Sequence, residues 1–388
     1  MTVSNSDAVT RIADHLARQT TDMALTNLEV PIRNFIDRDR AEAEVSLMRR
    51  MPLIACRGSE LPESGNFITR KILGTPLIIV RRSDGSVASY LNMCRHRGGR
   101  IEREECGFRR AFVCRYHGWT YGRESGDLRH VPYRESFGEF PSEKFSLRQI
   151  KTEELHGFVW VDFSSDESRS VAEYLGADVE QELAGLGLNN ADTYLSRSFT
   201  LDINWKIVVD GATDMLHPRF LHPTGVGKLI ETNVYVWKEY GRHGHLFAAR
   251  SKLRELIEAG EVPEDSWNYV GGNLYLYPNS LVIAAPDHVE FWTVWPTPDR
   301  PDQCTIEIRF LVRPEILDER MRRRIDRSWE ILEQAALEED FPMEQSIQDN
   351  VNAAPHGNFL YGRNELPNQH VHRQLERDLN EHAAARKQ

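Results

Sequence analysis

Two cysteine/histidine pairs, Cys94-Arg95-His96 and Cys114-Arg115-Tyr116-His117, stand seventeen residues apart, 97 to 113 lying between them. Each pair offers one thiolate and one imidazole, so any fold of this chain has to bring two loops to a shared metal centre. Four ligands of mixed sulfur and nitrogen suit a tetrahedral zinc, or a two-iron, two-sulfide cluster in which two histidines replace two cysteines on one iron. Zinc pairs usually keep like ligands together, as C-x2-4-C followed by H-x3-5-H. Here each loop mixes the two types, which lets one iron take both sulfurs and the other both nitrogens. Gly98, Gly99 and Gly118 would let the backbone approach the inorganic sulfides closely. The cluster is the favoured reading, and a zinc knuckle is the alternative.

The rest of the chain reads as a globular enzyme. Its 388 residues allow two or three domains with substantial cores, and 40% hydrophobic residues is ordinary for such proteins. No stretch approaches the roughly 20 apolar residues of a membrane span, and the N-terminus lacks a secretory pattern, so no membrane and a cytoplasmic location are expected. The odd set Cys56, Cys94, Cys106, Cys114 and Cys304 argues against a disulfide framework. The net charge of -11 argues against nucleic acid or an anionic membrane as partner. Against that acidic background, seven arginines (95, 97, 100, 103, 109, 110, 115) face three glutamates (102, 104, 105) between Cys94 and His117. Such a collar can steer an acidic electron carrier to the cluster, or can bond neighbouring loops and subunits.

The pattern divides the chain into three parts. Residues 1–45 carry Ile12, Leu16, Leu25, Leu28 and Ile32 at roughly helical spacing, predicting a helical N-terminal arm. Residues 46–165 change to short β-branched runs, 77–80, 87–91 and 158–161, with Asp84-Gly85 as a hairpin turn. This predicts an all-β cluster domain with the metal loops at hairpin tips. Residues 166–388 open with a polar linker and a helix to about 190. Strands follow at 274–277, 281–284, 291–295 and 305–312, then a long helix from about 314 to 339. The fold class expected is α+β, with an antiparallel sheet flanked by helices in the last part.

A second site is written into residues 204–222, Asn-Trp-Lys-Ile-Val-Val-Asp-Gly-Ala-Thr-Asp-Met-Leu-His-Pro-Arg-Phe-Leu-His. On a continuous helix Asp210, Asp214 and His217 share one face, and Pro218 should break that helix and re-aim His222. Two histidines with a distant carboxylate make the facial triad that holds non-haem Fe(II) and leaves positions open for O2. The plain alternative is a pair of structural histidines near a helix end.

The two motifs in this order resemble the Rieske non-haem iron oxygenases, specifically the large α subunits of the aromatic-ring-hydroxylating dioxygenase type, over about residues 45–365. The resemblance implies a [2Fe-2S] cluster on Cys94, His96, Cys114 and His117, and a mononuclear Fe(II) on His217 and His222. It implies Asp340 as third iron ligand, with Glu338, Glu339 and Glu344 as rivals in the same acidic run. It also implies that Asp214 hydrogen-bonds a cluster histidine of a neighbouring subunit and carries the electron across. Asp210 matches a polar position beside the iron. Further implications are a head-to-tail homotrimer, with a small β subunit possible, and electrons drawn from NAD(P)H through a separate reductase and possibly a ferredoxin. O2 and an aromatic small molecule would be the substrates. Val209, Leu216, Phe220, Leu281, Ile283, Phe291, Trp292 and Val294 are apolar candidates for the pocket. Ring hydroxylation is the expected reaction, O- or N-demethylation the alternative, and an electron-transfer Rieske protein a remoter one.

Overall fold

The computed structural model describes residues 6–164, 168–261 and 269–385. They form two compact units: Met48–Tyr174, and Met1–Leu47 together with Leu175–Gln388. No helix among the described residues is long and apolar enough to cross a membrane.

The unit Met48–Tyr174 is all-β apart from short turns of helix. A seven-stranded antiparallel sheet runs in the order Leu53–Arg57, Phe158–Asp162, Gln149–Leu155, Val87–Leu91, Thr75–Arg81, Asn66–Ile72, Cys106–Phe108. Ala111–Val113, Thr120–Gly122 and Leu128–His130 make a smaller sheet. The Asp84-Gly85 turn joins Thr75–Arg81 to Val87–Leu91, with Arg81 opposite Val87. Gly85 takes φ +85°, and Asp84 Oδ1 accepts from Ser86 N at 2.9 Å, so the turn chemistry fixes the register. The core gathers Phe67, Ile78, Tyr90, Phe112, Trp119 and Tyr121 around Cys94 and Cys114.

The other unit is built on a second seven-stranded antiparallel sheet. Its order is Asp192–Leu201, Arg300–Val312, Val289–Thr297, Ser280–Ala284, Val270–Leu276, His243–Arg250, Ile230–Tyr240. One face is covered by the helix Ser6–Arg18, whose Ala8, Ile12 and Leu16 pack on Val234, Val236, Phe247 and Ala249. The opposite face meets the helices that carry chemistry. Asn273 Nδ2 donates to Ala212 O at 2.8 Å, Phe199 packs on Phe341 with ring centroids 5.7 Å apart, and Phe310 meets Trp329 at 4.8 Å.

The N-terminal segment is therefore part of this second unit. Glu44, on the helix Arg38–Met48, receives Lys206 Nζ at 2.8 Å and Trp205 Nε1 at 2.9 Å. Glu44 and Lys206 are each 1% exposed; burial draws the Lys206 pKa down while Glu44 pulls the other way. A buried pair of this kind is costly to break, about 3–5 kcal/mol when one partner is removed. The expected run of helix through Leu25 and Ile32 does not form. Gln19 adopts φ +53° after the first helix, and Leu28–Pro31 instead pairs as a strand with Asn358–Tyr361.

The expected linker begins at 165–167, which lie outside the described residues; the helix Val171–Leu186 follows. The long C-terminal helix is longer and less regular than its periodicity predicts. Asp318 caps Glu319–Glu333 by accepting from Met321 N. The chain then widens into a π-helix, Gln334–Asp340, and resumes as Phe341–Ala353. Single π turns are uncommon and concentrate at functional sites.

Candidate functional site

The two cysteine/histidine loops are built alike. In the first, Cys94 N donates to Gly99 O (2.8 Å) and Gly98 N to Cys94 O (2.9 Å). In the second, Cys114 N donates to Trp119 O (2.9 Å) and Gly118 N to Cys114 O (2.8 Å). Each loop thus closes on the residue five positions after its cysteine, and the fourth position is a glycine at φ +75° or +71°, a conformation unfavourable to any side chain. The second loop caps the hairpin Ala111–Val113/Thr120–Gly122. Cys94 and Cys114 are 3% and 2% exposed, and a Cβ on Gly99 would stand 3.8 Å from Cys114 Sγ. His96 stacks on Trp119 (4.9 Å, 5°) and meets His117 edge-on at 4.7 Å.

The donors fit a two-iron cluster better than a single ion. Each loop supplies one sulfur and one nitrogen, so one iron can take Cys94 and Cys114 and the other His96 and His117, whose rings lie 4.7 Å apart. His96 Nδ1 is buried with no hydrogen-bond partner, and Arg97 Nη2 lies 2.6 Å from His117 Nε2, which leaves Nδ1 of both rings for metal. Burial, with His117 and Arg97 nearby, holds His96 below the usual histidine pKa, in its neutral form. Burial also pushes the Cys94 thiol up, so its thiolate needs a metal to persist. Tyr121 Oη accepts from Arg95 N at 3.0 Å and lies 3.2 Å from Cys94 Sγ, so it would donate to the sulfur once the thiolate holds metal.

The second centre forms where the helix Trp205–Thr213 ends. Asn204 caps its start by accepting from Lys206 N. The helix does not continue to His217 as the one-face reading requires. Asp214 leaves it with extended backbone, φ -79° and ψ 131°, and its Oδ1 accepts from Leu216 N at 2.6 Å. A short aspartate side chain competes with the helix for backbone donors in this way. Pro218 then opens a single turn, Pro218–Leu221, flanked by His217 and His222, where its missing N–H costs nothing.

Three donors meet there. His217, His222 and Asp340 have ligand atoms within 4.8 Å of one another. His222 Nε2 is 3.0 Å and His217 Nε2 3.7 Å from Asp340 Oδ1. The other ring nitrogens are tied back: His217 Nδ1 to Asp214 Oδ2 at 3.1 Å, and His222 Nδ1 to Glu339 Oε2 at 2.5 Å. Both Nε2 atoms are thereby aimed at the carboxylate, in the pattern by which outer carboxylates orient metal-bound histidines. Burial lowers the His222 pKa, but Asp340 and Glu339 more than reverse this and the net shift is upward. The spot attracts positive charge.

The acidic run of the π-helix is thus sorted by position. Asp340 faces both histidines and Glu339 grips His222. Glu344, 6% exposed, has its pKa raised by burial and by Asp340 and Asp210. Asp210 lies in a different network from Asp214 and His217: it accepts from Tyr361 Oη at 2.6 Å and holds His372 Nε2 at 2.9 Å. Tyr361 and His372 carried no motif in the sequence; only the pairing of Leu28–Pro31 with Asn358–Tyr361 and the final helix Leu366–Ala385 bring them in. Of the apolar candidates, Leu281, Ile283, Trp292 and Val294 share the sheet face of Asn273 by register. Phe291 lies on the other face, and Phe220 is 78% exposed.

A family model for the catalytic domain of ring-hydroxylating alpha subunits matches residues 188–381, and one for the Rieske [2Fe-2S] domain matches residues 51–145. The chain belongs to the ring-hydroxylating α subunits of the Rieske non-haem iron oxygenases. Among curated relatives of this family, the 2-aminobenzenesulfonate 2,3-dioxygenase α subunit of an Alcaligenes species is 30% identical over 239 residues, 60% of this chain and 59% of that protein. The carnitine monooxygenase oxygenase subunit of Escherichia coli is 28% identical over 216 residues, 53% of this chain and 55% of that one. Each match spans less than two thirds of the relative. The fold is that of naphthalene 1,2-dioxygenase from a Rhodococcus species (TM-score 0.76, 18% identity, 96% and 97% of the two chains).

Proposed function

We propose that the chain is the terminal oxygenase of a multicomponent system that hydroxylates an aromatic substrate with O2. The observation that carries this is the His217/His222/Asp340 triad with both Nδ1 atoms anchored, in a chain that also bears the two matched cluster loops. Cys94, His96, Cys114 and His117 would hold the [2Fe-2S] cluster, and the triad would hold Fe(II). When bound, the cluster supplies single electrons and the mononuclear iron supplies open positions for O2 activation.

The chain's own residues do the rest. Asp214 fixes the ring of His217 and, across a subunit boundary, would receive a hydrogen bond from a cluster histidine of the next copy. Such a bond needs a second copy of the chain, and the closed head-to-tail ring that fits is the homotrimer the resemblance implies. Glu339 sets the ring of His222, and Leu281, Ile283 and Trp292 offer an apolar wall toward the metal side. A reductase fed by NAD(P)H, with or without a ferredoxin, would deliver electrons at the arginine collar, and the cytoplasm is the proposed location. Oxidative demethylation is the second reading; the likeness to a carnitine monooxygenase subunit supports a monooxygenase reaction on a non-aromatic compound as an alternative to ring hydroxylation.

An anaerobic single turnover tests both. The iron-loaded protein is reduced chemically, then given O2 with aromatic acids, neutral arenes, and methoxy or N-methyl compounds, and the products are read by mass. A cis-diol or phenol supports ring hydroxylation; formaldehyde moves the chain to the demethylases. Absence of acid-labile sulfide and of the third iron overturns the oxygenase reading.

A further inference from the structure

Between the N-terminal segment and the last helix of the same unit lies a cavity of about 420 Å³. Its walls come from the strand Leu28–Pro31, the turn Ile32–Phe35, the start of the helix Arg38–Met48 and the helix Leu366–Ala385. Neither the triad His217, His222 and Asp340 nor the apolar sheet face is among the described residues that line it. Four arginines are, Arg33, Arg40, Arg373 and Arg377, against two acids, Glu29 and Glu376. In a chain of net charge -11 the sign is locally reversed. A cavity of this size suits a small molecule.

The two acids are already engaged. Glu376 Oε2 accepts from Arg40 Nη1 at 2.7 Å, and Glu29 Oε2 accepts from Asn358 Nδ2 at 2.6 Å. Two of the arginines are engaged as well: Arg40 Nε donates to Glu44 Oε1 at 3.0 Å, and Arg377 Nη1 donates to Gln374 Oε1 at 3.1 Å. Arg33 and Arg373 are exposed, and their side chains make no hydrogen bond or ion pair with any described residue. Two uncommitted guanidinium groups therefore line one cavity, and neither can lose its proton. The planar fork of each suits two oxygens of a carboxylate or phosphate at once.

The cavity is also tied to the helix that leads to the metal donors. His372, 5% exposed, lines it and holds Asp210 Oδ2 through Nε2 at 2.9 Å. Arg40 reaches the same helix by a second route, because Glu44 accepts from it and also from Lys206 Nζ and Trp205 Nε1. Lys206 lies in the first turn of Trp205–Thr213 and Asp210 in the last. We propose that this cavity binds a small dianion, its charge carried on carboxylates or on a phosphate, and that its occupancy braces the helix Trp205–Thr213. Arg33 and Arg373 hold the anion, while His372 and Arg40 pass the constraint to Asp210 and Lys206. A ligand that binds only the closed arrangement lowers the population of local opening around it. The site does not depend on the oxygenase reading.

Calorimetric titration of the iron-loaded protein with inorganic phosphate, succinate and the neutral succinamide tests the binding. At least one dianion should bind about tenfold or more tightly than succinamide, and which one binds separates phosphate from dicarboxylate recognition. Arg33→Ala combined with Arg373→Ala should weaken that binding by at least about tenfold; both side chains are exposed and unpaired, so the fold is not at stake. Asp340→Asn, which disables the triad, should leave it unchanged, and so distinguishes the cavity from capture of the anion by iron. Hydrogen exchange at amides 205–213 should slow when the dianion is saturating. No binding of either dianion, equal binding of succinamide, binding that survives the double substitution or is lost in Asp340→Asn, or unchanged exchange at 205–213 overturns the proposal.

Discussion

His222 Nδ1 and Glu339 Oε2 lie 2.5 Å apart, and the residue after Glu339 meets the same ring at its other nitrogen, Asp340 Oδ1 standing 3.0 Å from His222 Nε2. Two consecutive acids of a π turn thus embrace one imidazole, one fixing its orientation and the other facing the nitrogen that would bind iron. Replacing Glu339 by Gln keeps a partner for Nδ1 but removes the charge; Ala removes both. Outer partners of this kind typically contribute 10–100-fold to metal affinity. Glu339→Ala should lower Fe(II) affinity by about that factor and Glu339→Gln by less, measured by chelator competition. The cluster's visible absorption should not change. Undiminished iron affinity in Glu339→Ala would show that the contact is incidental.

Asp214 holds the other ring, its Oδ2 on His217 Nδ1 and its Oδ1 on Leu216 N. Asn can keep the backbone contact while losing the charge. Asp214→Asn should therefore retain three irons and two sulfides per chain, yet lose product formation coupled to cluster oxidation, with single-turnover rates down by at least about a hundredfold. Normal coupled turnover in this variant would remove Asp214 from the electron route.

Tyr121 is the chain's handle on the cluster itself. Its hydroxyl accepts from Arg95 N and lies against Cys94 Sγ, to which it would donate once the thiolate holds metal. A donor to a ligand sulfur stabilises the reduced, more negative cluster and raises its potential. Tyr121→Phe removes one such bond with little change in shape. The cluster potential should fall by on the order of 40 mV, the one-electron equivalent of about 1 kcal/mol, as read by voltammetry. An unchanged potential would mean that the hydroxyl has no electronic part.

Local spacing makes the two cysteine/histidine loops readable, because each is closed by its own backbone within six residues. The Asp84-Gly85 hairpin and the inner strands of the catalytic sheet are readable for a similar reason, being short runs of Val, Ile and Leu. The strands Asp192–Leu201 and Ile230–Tyr240 escape such reading: DTYLSRSFTL and IETNVYVWKEY are edge strands with many polar residues and no clean alternation. Helical phase fails at Asp210 because Asp214 leaves the helix four residues later, its side chain accepting from Leu216 N, which no periodicity encodes. The division of labour among Glu338, Glu339, Asp340 and Glu344 depends on one wide helical turn.

The hairpin that carries Asp287 and His288 should make stability depend on alkaline pH. His288 is buried and stacked on Phe310 at 4.0 Å. Burial opposes its charge, but Asp287 and Glu290 outweigh it and lift its pKa to about 9. A histidine whose folded pKa lies above its unfolded value, about 6.5, binds its proton more tightly when folded. Its contribution is complete below about pH 6.5 and is lost as pH rises through about 9. The full effect is on the order of 3 kcal/mol. Urea unfolding of the wild-type protein should show stability declining between those limits. In His288→Gln, which keeps a hydrogen-bonding side chain without the titration, the decline should be largely absent, and the variant should already be less stable at pH 6.5. Parallel pH profiles for the two proteins would place the alkaline loss elsewhere in the molecule.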